Sequence, residues 1–367
     1  MIRPGEPAVS APGAADTGRY GLWAAAAVLL PTRDGRLLLV RLGYDSERPI
    51  GLPGGGIENG ESPRQAAVRE VREELGITVE LTGLAGVDWA LRRGRPPVAA
   101  LLYWAAPLSS GQLSAIRLQE AEITGYGFLG PGQARAALPE RLSRRVAACL
   151  AVGTAGSTVE LEDSWPTGMT AGLLSRDEVR QLPDGQRQAQ ALIPDSGRRG
   201  KLLMEPATYA ATRHRIIASA RQLFTDAQGR VLLARSAGPD PDHWLLPGGK
   251  VEPTIEMPRR AARREIAEEL GLDRTPGSLL ALDWSNPPGE RPTRLAYIFD
   301  GGTVTADELT RIRLQETELG EWRMCGLPEA EELLAPQSAA RVRACLTARV
   351  AGTGPIELLE GRCVRGS

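Results

Sequence analysis

Three glutamates, Glu70, Glu73 and Glu74, stand at i, i+3 and i+4 in a stretch with helical periodicity. At 100° per residue they share one face, within about 100° of each other. Val68, Val71 and Leu75 form an apolar stripe on the other side. Like charges at this spacing destabilise a helix by about 0.2–0.5 kcal/mol per pair. A divalent cation compensates, and an all-oxygen cluster suits a hard ion such as Mg²⁺, which shares itself with substrate phosphates. The chemistry that fits is metal-assisted hydrolysis of a phosphoanhydride, the ion polarising phosphoryl oxygens and acidifying an attacking water. The competing reading is a solvated acidic face, the ordinary condition of glutamates.

The elements that must hold these groups are legible around them. Ser62 is a good N-cap, Pro63 suits the first helical position, and Gln65 completes a capping box. Gly76 ends the helix. Gly54-Gly55-Gly56 ahead of it permits unusual backbone angles and close ligand approach. Arg69 is expected to pair with Glu61 and brace the loop against the helix.

The arrangement occurs twice. Gly35-Arg36-Leu37-Leu38-Leu39 recurs as Gly229-Arg230-Val231-Leu232-Leu233, Leu52-Pro53-Gly54-Gly55 as Leu246-Pro247-Gly248-Gly249, and Asp88-Trp89 as Asp283-Trp284. Ile116-Arg117-Leu118-Gln119-Glu120 recurs as Ile312-Arg313-Leu314-Gln315-Glu316, and Ala148-Cys149-Leu150 as Ala344-Cys345-Leu346. Five matches in one order at a near-constant offset indicate a duplicated domain of about 140–150 residues, too long a period for a solenoid. In copy two, Glu265, Glu268 and Glu269 repeat the acidic face, with Arg264 and Glu256 before it. Gly249 lies one residue too far upstream of Glu256. The extra residue falls at Pro253-Thr254-Ile255, in a loop, where insertions are tolerated. Met257 is a poor cap. Lys250 is either a phosphate contact or a solvent-exposed lysine.

Gly55, Glu61, Arg69, Glu70, Val71, Glu73, Glu74, Gly76 and Ile77 resemble the Nudix box of the Nudix hydrolases, G-x5-E-x7-R-E-U-x-E-E-x-G-U, without departure. Copy two matches it from Glu256 through Arg264, Glu265, Ile266, Glu268, Glu269 and Gly271 to Leu272. The resemblance implies two α/β/α sandwich domains of the Nudix fold, each with a mixed sheet, in tandem. It also implies hydrolysis of a nucleoside diphosphate linked to another moiety, with Mg²⁺ or Mn²⁺. Glu70, Glu73, Glu74 and their counterparts Glu265, Glu268 and Glu269 would be the metal ligands, helped by the Gly55 or Gly249 carbonyl. Arg69 and Glu61, with Arg264 and Glu256, would be their structural partners, and Gly56 and Lys250 would lie where substrate approaches.

Relatives often carry a further carboxylate, as base or ligand, on a later loop. Glu120 and Glu122 are candidates in copy one, and Glu316, Glu318 and Glu321 in copy two. Copy one has Gly125-Tyr126 where copy two has Glu321-Trp322. Trp89 and Trp284 are read either as stacking on a base or as core tryptophans at strand ends. Pro287-Pro288 lie where a proline marks ADP-ribose-type members of the family, a weak signal in so Pro-rich a chain. His214 and His243 read as loop and surface residues.

The chain has 367 residues, 44 basic and 45 acidic side chains, and a net charge of −1, which argues against nucleic acid or an anionic membrane as partner. Cys149, Cys325, Cys345 and Cys363 lack metal or disulfide spacing and read as free thiols. The longest apolar run, Leu22 to Leu30, is too short to span a bilayer, the N-terminus lacks a signal-peptide layout, and the cytoplasm is the expected location. Residues 1–18 are expected as a disordered tail, 19–163 and 211–363 as the two domains, and 164–210 as a linker with a short helix capped at Ser175. Each domain is expected to run β, β, loop, α, several β, α. The two copies are also candidates for a pseudo-dimer within one chain. A small nucleotide is the expected partner. Two other functions stay open: a sensor that binds a nucleotide without turnover, and a scaffold role for one or both copies.

Overall fold

A computed structural model describes residues 21–91, 96–153, 158–175, 183–197, 208, 211–237, 243–289 and 291–364. The expected N-terminal tail and most of the expected Ser175 cap lie outside these. The first repeat runs β1 (Gly21–Leu29), β2 (Leu37–Leu42), β3 (Ile50–Gly51), β4 (Gly54–Gly56), α1 (Pro63–Leu75), β5 (Leu81–Ala90), β6 (Val98–Ala105), α2 (Ser110–Ala115), β7 (Ile123–Leu129), α3 (Pro131–Ala137), α4 (Glu140–Val152), β8 (Val159–Glu162) and β9 (Trp165–Pro166). A 3₁₀ turn over Gly168–Thr170 and a helix, α5 (Pro183–Ala191), follow. The second repeat runs β10 (Ile216–Thr225), β11 (Val231–Ser236), β12 (Trp244–Leu245), β13 (Gly248–Lys250), α6 (Pro258–Leu270), β14 (Leu279–Ser285), β15 (Arg294–Thr303), α7 (Ala306–Arg311), β16 (Leu319–Cys325), α8 (Leu327–Leu333), α9 (Pro336–Ala351), β17 (Ile356–Leu359) and β18 (Arg362–Cys363).

The element order is the same in both repeats, and the sheet is symmetric about its middle. Its strands lie in the order β18-β17-β14-β15-β10-β1-β6-β5-β8-β9. In each half the central strand pairs in parallel with the next (β1 with β6, β10 with β15), and that strand pairs antiparallel with its neighbour, giving mixed sheets. The halves join where β1 meets β10 antiparallel, Gly21 opposite Ile217 and Leu22 opposite Ile216. Four alanines, Ala24–Ala27, favour helix by intrinsic propensity. Tertiary context overrides it: they form a central strand whose small side chains let Ala66 and Ala67 of α1 approach closely within one buried cluster. On the opposite face, Leu29 and Leu102 pack with Val146 and Cys149 of α4.

The repeats share one core. A single buried cluster holds Val71 and Trp89 from the first together with Ala262, Trp284 and Phe299 from the second. Two matching ion pairs cross between them: Arg64 Nε lies 2.7 Å from Glu357, and Arg259 Nη2 lies 2.6 Å from Glu160. The Tyr103 hydroxyl donates to the other Glu357 oxygen at 2.7 Å.

The repeated Asp-Trp dipeptide has a structural cause. Asp88 accepts from the Ser164 N–H at 2.9 Å and pairs with Arg145 of α4, while Asp283 accepts from the Gly361 N–H at 3.0 Å and pairs with Arg341 of α9. Each aspartate therefore ties a closing helix to a two-residue hairpin. Both turns need positive φ, adopted by Asp163 (48°) and Ser164 (70°) in one and Glu360 (53°) and Gly361 (77°) in the other, which suits the twist of a tight hairpin. The start of the expected linker, residues 164–168, thus contains β9.

The described part of the linker is docked on the first repeat. Arg41 donates to the carbonyls of Gln190 (2.7 Å) and Ile193 (2.8 Å), and the Ser196 N–H donates to Thr124 at 3.0 Å. A Cβ on Gly125 would stand 1.8 Å from the Pro194 carbonyl oxygen, so only glycine admits this segment. No described helix is long and apolar enough to cross a membrane.

Candidate active site

Ser62 caps α1 as expected: its hydroxyl accepts from the Gln65 N–H, the Gln65 side chain accepts from the Ser62 N–H, and Gly76 closes the helix at φ 70°. The buried face differs from the expected stripe. Ala66, Ala67, Val71 and Leu75 face the core with Glu74, whereas Val68 is only half-buried. The reason is the glycine turn. Gly54 adopts φ 145° against β1, where a Cβ would stand 2.3 Å from the Ala26 carbonyl oxygen, and its N–H donates to Glu74 at 3.1 Å. That donor gives Glu74 a partner beneath the loop. The second repeat repeats the contact more tightly, Gly248 N–H to Glu269 at 2.6 Å.

Glu70 lies under the same loop. A Cβ on Gly55 would meet the Glu70 carboxylate at 2.4 Å, and one on Gly249 would meet Glu265 at 2.4 Å, so both glycines are required for the carboxylates to sit there. Arg69 donates to Glu61 (2.7 Å), Glu70 (2.9 Å), Glu73 (3.1 Å) and the Gly56 carbonyl (2.9 Å). Arg264 makes the matching contacts with Glu256 (2.7 Å), Glu265 (2.9 Å), Glu268 (2.9 Å) and the Lys250 carbonyl (3.2 Å). The extra residue of the second box changes none of these. Glu58 N–H donates to Glu61 in the first loop and Glu252 N–H to Glu256 in the second, while Thr254 and Ile255 bulge into solvent.

The electrostatics suit a divalent cation. Burial holds the Glu74 carboxyl well above its ordinary range, and repulsion from Glu70 adds to this against the opposing Gly54 N–H. Glu70 is raised by burial, opposed by Arg69. Glu269 is raised to about 7 by burial, opposed by Arg221 and the Gly248 N–H and reinforced by Glu265 and Glu318. In the second repeat Glu265, Glu269 and Glu318 bring one oxygen each to within 4.8 Å of one another. Three mutually repelling oxygens at that spacing fit a hard divalent ion.

The late carboxylate near the cluster is Glu318 in the second repeat and Glu122 in the first, the latter acting on Glu70 and Glu74. Glu120 is exposed in the preceding turn. The repeat offset identifies the pair: 122 and 318 stand 196 apart, as do Glu120 and Glu316. Trp89 and Trp284 are core residues, 1% and 2% exposed. The Trp89 ring meets Tyr297 of the other repeat edge-on at 6.1 Å, and Trp284 Nε1 donates to the Glu61 carbonyl at 3.2 Å. Asn286 donates to the same carbonyl at 3.1 Å, so the second repeat holds the bracing loop of the first. His214 bonds Thr293 at 3.0 Å. The described thiols are free, three buried and Cys363 exposed. Arg221, beside Glu269, had no signal in the box, because Ala27 occupies its place in the first copy.

Comparison with known proteins gives two matches to the NUDIX domain, at residues 21–149 and 216–346. The chain is similar to an uncharacterized Nudix hydrolase, orf19, of Rhodococcus erythropolis, 36% identical over 95 residues, covering 23% of this chain and 51% of the relative. It is 42% identical over 64 residues to an RNA pyrophosphohydrolase of Dinoroseobacter shibae, covering 17% of this chain and 39% of the relative. The chain spans about half or less of these relatives' length. Among solved structures, a MutT protein from Methanosarcina mazei Go1 matches with 26% identity, 38% of this chain, 96% of that chain and a TM-score of 0.31.

Proposed function

Because this chain belongs to the Nudix family, with the domain present twice, we propose that it hydrolyses a phosphoanhydride bond in a nucleoside diphosphate linked to another moiety. The observation that carries the reading is the convergence of Glu265 and Glu269 beneath the Gly248-Gly249 turn, with the Glu318 carboxylate within 4.8 Å of both and available as a base. Glu70, Glu73 and Glu74, and Glu265, Glu268 and Glu269, would hold Mg²⁺ or Mn²⁺, with the Gly55 and Gly249 carbonyls. Such an ion, when bound, supplies positive charge against the phosphoryl oxygens and acidifies water.

The rest is work for the chain's own groups. Arg69 and Arg264 hold the glycine loops on their helices and keep the outer glutamates in place. Glu318, or Glu122 in the first repeat, takes the proton from the attacking water. The water oxygen forms the new P–O bond as the bridging P–O bond breaks, and the departing phosphate carries the electron pair away. The antiparallel β1–β10 join and the two crossing ion pairs support reading the repeats as a pseudo-dimer within one chain.

The test is product release with Mg²⁺ from nucleoside triphosphates, ADP-ribose, sugar nucleotides and dinucleotides. Wild type is compared with Glu74→Gln and Glu269→Gln. Turnover that falls in either variant supports the reading. Tight nucleotide binding with no turnover on any substrate would replace it with a sensor.

A further inference from the structure

Equivalent strand faces of the two repeats carry different side chains. Residues directly opposite one another on paired strands share a face of the sheet. In the second repeat Ser219 stands opposite Lys250 on one side and Ala296 on the other, Arg221 stands opposite Gly248, and Ile217 opposite Arg294. Lys250, Arg221 and Arg294 therefore point from one side of the β13–β10–β15 strip, beginning beside the carboxylate cluster. Arg221 donates Nη1 to the Leu246 and Gly248 carbonyls at 2.5 and 2.9 Å, which anchors it under the glycine turn. Its charge acts on Glu269 and Glu265, and it feels that of Arg294.

The same register in the first repeat places Gly56 opposite Ala25, Gly54 opposite Ala27, and Val98 opposite Trp23. Three strand cations are thus replaced by Gly56, Ala27 and Val98, and the Arg213 guanidinium beside Gly56 is tied to the Ala24 carbonyl at 3.1 Å. The patch is also closed: Trp23 is 2% and Val98 3% exposed, and the Arg213 guanidinium lies 5.3 Å over the Trp23 ring. In the second repeat Arg294 is exposed, and Ser219 and Arg221 are half-buried. Asp283 and Arg341 also face this side but neutralise each other, as Asp88 and Arg145 do in the first repeat, so they do not account for the difference.

We propose that the second repeat binds the phosphate chain of a nucleotide with three or more consecutive phosphates along Arg221, Arg294 and Lys250, and that the first repeat does not take this substrate. The proposal rests on the hydrolase reading above and specifies the substrate of one of its two sites. The carboxylate cluster serves the phosphates at the reacting bond. The strip serves those beyond it, through charge-assisted hydrogen bonds from guanidinium groups, which suit phosphate oxygens.

The experiment uses the full chain with Arg294→Val, the residue of the other repeat, and Arg294→Lys. KM and kcat are measured with Mg²⁺ on a nucleoside triphosphate and on ADP-ribose, which has two phosphates. Binding of inorganic tripolyphosphate is measured by calorimetry. Loss of one charge-assisted contact predicts a KM for the triphosphate and a tripolyphosphate Kd raised about tenfold in Arg294→Val, with ADP-ribose changed by less than about twofold and Arg294→Lys intermediate. An equal effect on both substrates, or none on either, overturns the proposal. If wild type turns over nothing, the hydrolase reading fails. A selective loss of tripolyphosphate affinity in Arg294→Val would still uphold the strip.

Discussion

Arg64 on α1 of the first repeat forms an ion pair with Glu357 on β17 of the second, at 2.7 Å, with both side chains largely shielded from water. Arg259 and Glu160 repeat the relationship with the repeats exchanged. Each glutamate-bearing helix, α1 and α6, is therefore steadied by the opposite half of the chain, and the two carboxylate clusters are mechanically linked through the shared core.

Glu357→Gln leaves the Arg64 guanidinium buried without its counter-charge. Removing one member of a buried pair costs about 3–5 kcal/mol. The denaturation midpoint should fall accordingly, and Arg64→Met combined with Glu357→Leu and Tyr103→Phe, which removes the hydroxyl that donates to Glu357, should recover much of the loss. A midpoint unchanged in Glu357→Gln would mean the pair does not couple the halves.

Arg69→Ala removes the donor shared by Glu61, Glu70, Glu73 and the Gly56 carbonyl. Lost hydrogen bonds to charged groups are worth about 1.5–3 kcal/mol each at most, and they are not additive. A lower melting temperature and weaker Mg²⁺ binding are expected together, read by thermal melts with and without the ion. If the melting temperature does not move, Arg69 is not a brace.

Glu269 keeps its proton up to about 7 in the folded chain, against an ordinary value of 4.5. Its folded pKa is raised, so its contribution to stability is complete below about pH 4.5 and is lost as the pH rises through 7. Metal-free wild type should lose more melting temperature between pH 5 and pH 7.5 than Glu269→Gln, and Mg²⁺ should narrow the difference. Parallel pH profiles for the two proteins without metal would contradict this.

Gly125→Ala drives a methyl group into the Pro194 carbonyl, which stands 1.8 Å from the built position. Because this carbonyl is backbone, the docked segment must move rather than adjust a side chain. Faster proteolytic cleavage near residues 186–197 is expected, with the carboxylate clusters intact. Cleavage at the wild-type rate would show that the segment tolerates the methyl.

Much of this architecture was legible because the sequence is duplicated. The offset aligned Gly248 with Gly54 and Glu269 with Glu74, and the capping box at Ser62 set the start of the helix. The paired arginines and first glutamates emerged as expected, since the same eight-residue spacing across a loop–helix junction occurs in both copies. Four features were not legible. Glu74 faces the core because a backbone N–H, invisible in residue types, awaits it there. Short strands such as β4 and β9 have too few residues to display a period. The β1–β10 join is a contact between repeats, and a repeat offset reports likeness, not adjacency. Arg221 and Arg294 stand where the two copies differ, and a repeat offset carries no information at such positions.

The shared core also fixes an order of events during synthesis. The first repeat is complete in sequence by about residue 166, yet Trp89 and the Arg64 side chain find their partners only on strands β14 to β17. At roughly 5–20 residues per second, the ribosome takes on the order of ten seconds or more to supply them. Through that interval the emerging half-molecule exposes an apolar face and an open strand end. A neighbouring nascent chain offers the same complementary surfaces, so exchange of halves between chains competes with closure by the chain's own tethered second repeat, which the linker holds at high local concentration.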